Sequence, residues 1–320
     1  MKAIEGLHHI TAVTSSAQDN VDFYRNILGQ RLVKRTVNFD APDTYHLYYG
    51  DDAGTPGSIV TFFAWPNTRR ALRGNGTTNA LAYNAPQGSL GFWQEHLKRS
   101  GVHTEAIENR FGAEVLPFDD PDGLRLELIS SAEPSMLAPW TQGPIEARFA
   151  LQGFHSATLW LRQVEQTAAL LTEQMGYSYQ GQEDNRYRFV SAQNGTIDIL
   201  HRPGQRPAGF GAGSIHHIAF RVPHDQSQLE YQQKLYAAGL SVSPVRDRSY
   251  FHSIYYREPG GVLFEIATQN PGFAVDEAPQ LLGEGLKLPA WVESQRPEIE
   301  KLLPPLSLKP VEKVTYAPQF

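Results

Sequence analysis

Polar and apolar positions along the chain alternate between two periods, and the alternation itself repeats. Strand-like segments, LHHITAV, NALAYNA, FHSATLWL and IHHIAFRV, are short, β-branched and aromatic, as a half-buried strand requires. Each precedes a stretch of helical period that stops at a glycine: VDFYRNILG at Gly29, LGFWQEHLKRSG at Gly101, AALLTEQMG at Gly176 and LEYQQKLYAAG at Gly239. Glycine tolerates the left-handed conformation that closes many helices, so each marks a predicted helix end. Val21, Tyr24, Ile27 and Leu28 are expected to share one buried helix face; Leu229, Gln232 or Gln233, Leu235 and Tyr236 form a less clean one. Further β-rich runs follow every helix, the last usually after a glycine turn, in GTPGSIVTFF, DPDGLRLELI, QNGTIDILH and EPGGVLFEIA.

The predicted unit is therefore βαβββ, starting near residues 7, 78, 153 and 215. The spacing supports one register: His9 to Gly29 and Ser156 to Gly176 are each 20 residues, Ala80 to Gly101 is 21 and His217 to Gly239 is 22. Repetition at this scale decides the fold before any single residue does. Such a module cannot bury both faces of its sheet, so modules must pair and enclose a cleft. The expected class is α+β, with four modules arranged as two paired-module domains. Residues 1–130 hold modules one and two, 131–152 a linker without period, 153–270 modules three and four, and 271–320 a proline-rich cap or arm.

Paired βαβββ modules around a metal cleft resemble the vicinal-oxygen-chelate superfamily over roughly residues 1–270. Comparing one position across the four copies locates candidate chemistry. At the first-strand position the modules carry His9, Ala80, Ser156 and His217; on the last strand, aligned on the glycine turn, they carry Phe62, Glu127, Ile199 and Glu265. Modules one and four together offer His9, His217 and Glu265, whereas the other pair offers only Glu127, which reads as a surface or structural carboxylate. Two neutral imidazoles and one carboxylate that leave coordination positions open suit a divalent first-row ion. His155 matches His8 in register, and His8 and His216 turn away from the cleft unless a bulge intervenes.

Composition narrows the chemistry further. With no cysteine in the chain, thiolate sites, disulfides and a cysteine nucleophile are excluded, so any metal rests on His, Asp or Glu. A net charge of −6 without a basic stripe gives no expected nucleic-acid or membrane partner. The first residues, MKAIEGLHHI, lack a signal-peptide layout, and no apolar run approaches the ~18 residues of a spanning helix. A soluble, cytoplasmic protein is the expectation, with a homo-oligomer open.

GLHHIT, SIHHIAFRV and DRSYFHSIYYREPGGVLFEIAT resemble the hydroquinone-cleaving ring dioxygenases, the group that includes chlorohydroquinone 1,2-dioxygenases. The resemblance implies Fe(II), with Mn(II) as the other candidate, on His9, His217 and Glu265, and an extradiol-type cleavage of a hydroquinone- or catechol-like aromatic by O2. It also maps His8, Thr11, His216, Arg248 and Tyr255 around the metal. Of these, His216 and Tyr255 are expected to move protons and Arg248 to stabilise anionic oxygen. His8, Thr11 and Phe62 are expected to meet substrate. Two rivals share the fold: a glyoxalase I-like metal-dependent lyase or isomerase, and a metal-free small-molecule-binding resistance protein.

Overall fold

Each repeat folds as a strand, a helix and three more strands. Module one comprises β1 (Leu7–Thr14), α1 (Ala17–Val21), β2 (Arg31–Asn38), β3 (Ala41–Gly50) and β4 (Ile59–Ala64). Module two has β5 (Thr77–Pro86), α2 (Leu90–Arg99), β6 (Glu108–Arg110), β7 (Ala113–Asp119) and β8 (Arg125–Ser131). Module three has β9 (Phe154–Leu161), α3 (Glu165–Ala169), β10 (Ser178–Glu183), β11 (Arg186–Val190) and β12 (Thr196–His201). Module four has β13 (Ile215–Val222), α4 (Asp225–Ala237), β14 (Arg246–Asp247), β15 (Phe251–Arg257) and β16 (Leu263–Pro271). This computed structural model describes residues 4–132, 137–193 and 195–315. Residues 1–3, 133–136 of the expected linker, 194, and 316–320 of the expected arm lie outside the described residues.

Two curled eight-stranded sheets result, an α+β arrangement of half-barrels. Their orders are β14-β15-β16-β13-β1-β4-β3-β2 and β10-β11-β12-β9-β5-β8-β7-β6. Module four thus continues into module one, and module three into module two. At each junction the first strands of two modules pair antiparallel, β1 with β13 and β5 with β9.

The four helix-closing glycines all take positive φ: +71° at Gly29, +76° at Gly101 and Gly176, and +83° at Gly239. A side chain there would be strained, which explains their recurrence. α1 and α3 continue into π turns at Asp22–Ile27 and Leu170–Gln174, a widening that periodicity alone does not reveal. Val21, Tyr24 and Leu28 are buried as expected, with Ile27 half-buried. The face of α4 differs from expectation. Gln228, Tyr231 and Leu235 are buried, while Leu229 and Tyr236 are exposed. The cause is polar: the Gln228 amide donates to the carbonyls of His252 and Ile266, both at 2.7 Å, and so rotates the helix onto β15 and β16.

One apolar core joins the helices to one face of both sheets and includes Ile10, Tyr24, Phe62, Trp93, Ile199 and Phe264. The opposite face of the first sheet carries a separate cluster, among it Tyr48, Ile59, Ala219 and Phe251, with Phe273 packed onto it. Phe273 belongs to the segment after β16, which runs back over module one. Arg31 donates to the carbonyls of Pro279 and Gln280 at 2.8 and 3.0 Å, and the buried Lys34 pairs with Asp276 at 2.6 Å and with Glu277. No helix among the described residues is long and apolar enough to cross a membrane.

Candidate metal centre

The junction of modules one and four sets the site. On paired strands β1 and β13, Thr11 lies opposite His217 and His9 opposite Ala219. β16 runs parallel to β13 with Glu265 beside Ala219, and β15 places Tyr255 opposite Glu265. Three side chains distant in sequence are thereby neighbours. His9 Nε2 lies 3.3 Å from His217 Nε2 and 3.4 Å from Glu265 Oε2, and His217 Nε2 lies 2.9 Å from the same oxygen. All three residues are buried.

Each strand of the junction is bulged beside its ligand candidate. The register slips between Leu7 and His9, and between His217 and Ile215, leaving His8 and His216 as the extra residues. A bulge re-aims the residue that alternation would send to the other face. His8 Nδ1 accordingly comes to 2.9 Å from His9 Nδ1, and His216 Nδ1 to 2.8 Å from His217 Nδ1.

These contacts fix where the hydrogens reside. His8 Nε2 sits 3.0 Å from the Thr268 carbonyl, which can only accept, so His8 donates there. A neutral His8 then accepts at Nδ1 from the His9 Nδ1–H, and His9 Nε2 is left with its lone pair facing the cluster. Burial, followed by the neighbouring His9, holds His8 well below the ordinary imidazole range, and burial likewise lowers His217. Burial alone would raise the Glu265 carboxyl, but the adjacent His9 and His217 outweigh it and hold it well below the usual range. The Ser253 hydroxyl donates to Glu265 Oε1. Glu265 Oε2 is buried and receives no hydrogen bond.

Lone pairs converging in a buried space repel unless a cation sits among them. Separations of 2.9–3.4 Å are those of atoms each about 2.0–2.2 Å from one ion. The residues present therefore fit a divalent metal, and the fit rests on the orphaned Glu265 oxygen and the tautomer imposed on His9.

The remaining expected residues divide. Arg248 donates from Nε to the Tyr255 hydroxyl at 3.1 Å and from Nη1 to Asp40 at 3.2 Å, and the Tyr255 ring lies 5.8 Å from that of His217. Burial, then Glu265, pushes the Tyr255 hydroxyl up, against the pull of Arg248. Burial and then His217 push His216 down to about 3, and its ring meets Phe63 and Phe210 edge-on. Thr11 shares the face of His9 and bonds Thr61 at 2.8 Å. His8 does not fit a substrate contact: it is 1% exposed and both ring nitrogens are engaged. Nor does Phe62, which is fully buried against Tyr24, with ring centroids 4.6 Å apart.

The correction at Phe62 is one of register. In module four Glu265 lies beside Ala219, two residues past His217; in module one Thr61 lies beside Thr11, two residues past His9. The counterpart of Glu265 is therefore Thr61. By the same pairing the counterpart in module three is Asp198, beside Thr158, not Ile199, while Glu127 stands as expected beside Ala82. Aligning on glycine turns of unequal length shifted two modules by one residue, and one residue reverses the face.

The second half-barrel is accordingly filled with charge. Arg110 binds both Glu127 oxygens at 2.7 and 3.0 Å, and Arg188 both Asp198 oxygens at 2.8 Å. Glu127 is thus buried, contrary to a surface reading. Guanidinium groups occupy the region corresponding to the candidate metal centre, and Phe111 lies over Arg188 at 4.0 Å.

Sequence reasoning missed His46, Tyr48, Thr61 and Ser253. His46 on β3 is buried, bonds Thr61 at 2.8 Å and Tyr48 at 2.9 Å, and packs its ring 4.4 Å from that of Phe63 at a 45° tilt. The available signal was the alternation Thr44, His46, Tyr48 against Tyr45, Leu47, Tyr49, which puts three polar groups on one strand face.

Residues 6–128 and 153–266 match the family model described as the Glyoxalase/Bleomycin resistance protein/Dioxygenase superfamily. The chain is 44% identical over 313 residues to a protein of Bacillus subtilis (strain 168) provisionally named ring-cleaving dioxygenase MhqO, covering 97% of this chain and 99% of that one. It is 37% identical over 308 residues to the chlorohydroquinone/hydroquinone 1,2-dioxygenase of Sphingobium indicum, covering 92% and 95%. A crystal structure of a B. subtilis protein provisionally described as a dioxygenase superposes with a TM-score of 0.93 at 43% identity, covering 97% of this chain and 100% of the other.

Proposed function

The chain belongs to the glyoxalase/bleomycin resistance/dioxygenase superfamily, and from that membership we propose that it is a metal-dependent, extradiol-type dioxygenase opening the ring of a hydroquinone- or catechol-like substrate with O2. His9, His217 and Glu265 would hold the metal. Fe(II) is the ion proposed, and Mn(II) also suits the donor set. The observation that carries the reading is the Glu265 oxygen, buried without a donor between two imidazole nitrogens. The names of the relatives supply the reaction class.

An ion held there would supply Lewis acidity toward a phenol and redox chemistry toward O2. The residues around it do the rest. Phe251 lies against His9, and Phe63 against His46 and His216, rings that would suit a flat aromatic beside the metal. Arg248, anchored on Tyr255 and always charged, would stabilise oxygen that gains negative charge. Tyr255, kept protonated by burial, is a donor at the same place. With His217 Nε2 given to the metal, the His217 Nδ1–H would donate to His216 Nδ1, 2.8 Å away, and the His216 Nε2–H would be free to donate a hydrogen bond to a bound molecule. His8 acts through His9, whose donor nitrogen it orients.

Thr61 at the counterpart of Glu265 leaves three protein ligands rather than four, which favours an open site over that of a glyoxalase-like lyase. The test is an oxygen-electrode assay of protein loaded anaerobically with Fe(II), across a panel of hydroquinones and catechols. Stoichiometric O2 uptake with loss of aromatic absorbance is expected. Absence of uptake with every diphenol, or turnover supported by Zn(II) without O2, contradicts the proposal.

A further inference from the structure

Four side chains of module one form a single hydrogen-bonded row on the wall beside the metal centre. Tyr48 Oη lies 2.9 Å from His46 Nδ1, His46 Nε2 lies 2.8 Å from Thr61 Oγ1, and Thr61 Oγ1 lies 2.8 Å from Thr11 Oγ1. All four residues are buried. We propose that Tyr48, His46 and Thr61 are positioning residues that hold the Thr11 hydroxyl as a hydrogen-bond donor toward an anionic oxygen of a ligand bound beside His9 and His217.

The argument is a count of hydrogens. With His46 neutral the row carries four: one each on Tyr48, His46, Thr61 and Thr11. It has only three gaps to place them in, so one hydrogen is surplus and must emerge at Tyr48, Thr61 or Thr11. The fully buried Thr61 hydroxyl has no third partner among the described residues. The Tyr48 end offers it no bonded acceptor. That hydroxyl has no other partner among the described residues, and its ring packs against Tyr250 and Phe273. At the Thr11 end the hydroxyl shares the face of His9, two residues away, and lies on the strand opposite His217. An oxygen anion bound there would accept it.

The direction follows. Tyr48 donates to His46 Nδ1, His46 Nε2–H donates to Thr61, and Thr61 donates to Thr11, whose hydrogen faces the cleft. The opposite direction would leave the Tyr48 hydrogen without a bonded acceptor among the described residues and turn Thr11 into an acceptor that repels a phenolate oxygen. Burial supports the neutral states assumed: it raises Tyr48 well above the ordinary phenol and lowers His46 well below the ordinary imidazole. Thr61 also stands where module four carries Glu265, so the half-site without a ligand is used to aim a donor.

The inference rests on the dioxygenase reading for its anionic phenolic oxygen, but its test needs no turnover. The ionisation of 4-nitrophenol bound to the metal-loaded protein without O2 is read from its visible absorbance. His46→Phe and Thr61→Val should each raise the pKa of the bound phenol by about one unit, with tenfold weaker binding of the phenolate and unchanged metal affinity. His46→Gln, which still offers an N–H to Thr61, should recover part of the shift. Tyr48→Phe, nearly isosteric, should shift it in the same direction if the larger changes disturb folding. Unchanged probe pKa in metal-binding His46→Phe and Tyr48→Phe proteins overturns the inference and leaves the dioxygenase reading standing. A shifted pKa in a protein that consumes no O2 with any diphenol would sink the dioxygenase reading and keep the donor row.

Discussion

A strand histidine becomes a dependable metal ligand only when something decides which nitrogen carries its hydrogen. Here the deciding groups are the adjacent histidines, brought to the same side by bulges: His8 is locked between the Thr268 carbonyl and His9, and His216 sits against His217 in the matching place. On the proposed function, the doublet HH is a ligand and its orienting partner rather than two alternative ligands. His8→Phe keeps a ring in the space but removes the acceptor for His9 Nδ1–H. The expected result is metal affinity about 10–100-fold weaker with the fold retained, measured by anaerobic titration of the metal-free protein. Unchanged affinity would mean that His9 is oriented by packing alone. At this scale the two doublets and Glu265 stand out in the sequence because repeats allow one position to be compared four times. His46 does not: it has no counterpart doublet, and a solitary histidine on a strand resembles any buried polar residue until its bonds to Thr61 and Tyr48 are seen.

At the scale of elements, the tight turns before the last strands of modules two and four use one device. In Asp120-Pro121-Asp122-Gly123 the Asp120 carboxylate accepts from the amides of Asp122 and Leu124 at 2.9 and 2.8 Å. In Glu258-Pro259-Gly260-Gly261 the Glu258 carboxylate accepts from Gly260 and Val262, both at 2.8 Å. Burial pushes Asp120 up to about 7 despite these bonds. A folded pKa above the unfolded value means the native state binds protons more readily. The destabilising contribution of this group is therefore fully present above about pH 7 and is relieved as pH falls toward the unfolded pKa of about 3.9. Asp120→Asn, which keeps an acceptor for both amides, should flatten the dependence of stability on pH between about 4 and 7, measured by urea denaturation. A variant whose stability tracks the wild type across that window would contradict the burial argument. The turns also show what sequence could and could not reveal. The short Pro259-Gly260-Gly261 connection sets Tyr255 opposite Glu265 by simple counting. The longer connection before β4 does not, and there the count fell on Phe62 instead of Thr61. The bulges, the π turns and the rotation of α4 by Gln228 depend on partners elsewhere in the chain and leave no local pattern.

For the whole molecule, the decisive event is pairing across the middle of the chain: module four joins module one, and module three joins module two. The repeat made a two-cleft architecture legible, and unequal use of the clefts followed from residue types. The second cleft, expected to be nearly bare, instead holds the pairs Arg110–Glu127 and Arg188–Asp198. Its carboxylates carry guanidinium counter-charges, whereas among the described residues Glu265 meets two imidazoles and the Ser253 hydroxyl and no guanidinium. A buried charge without its partner is costly: the paired second half-barrel is balanced without an ion, and on the proposed function a metal supplies the balance in the first. The most direct measurement is anaerobic titration of the 320-residue chain with Fe(II), alongside His9→Ala, His217→Ala and Glu265→Gln, with circular dichroism recorded on each. One ion per chain in the wild type, and none held tightly by any of the three folded variants, is the predicted result. A folded variant that binds one ion with wild-type affinity, or a wild-type protein that binds none, would contradict it.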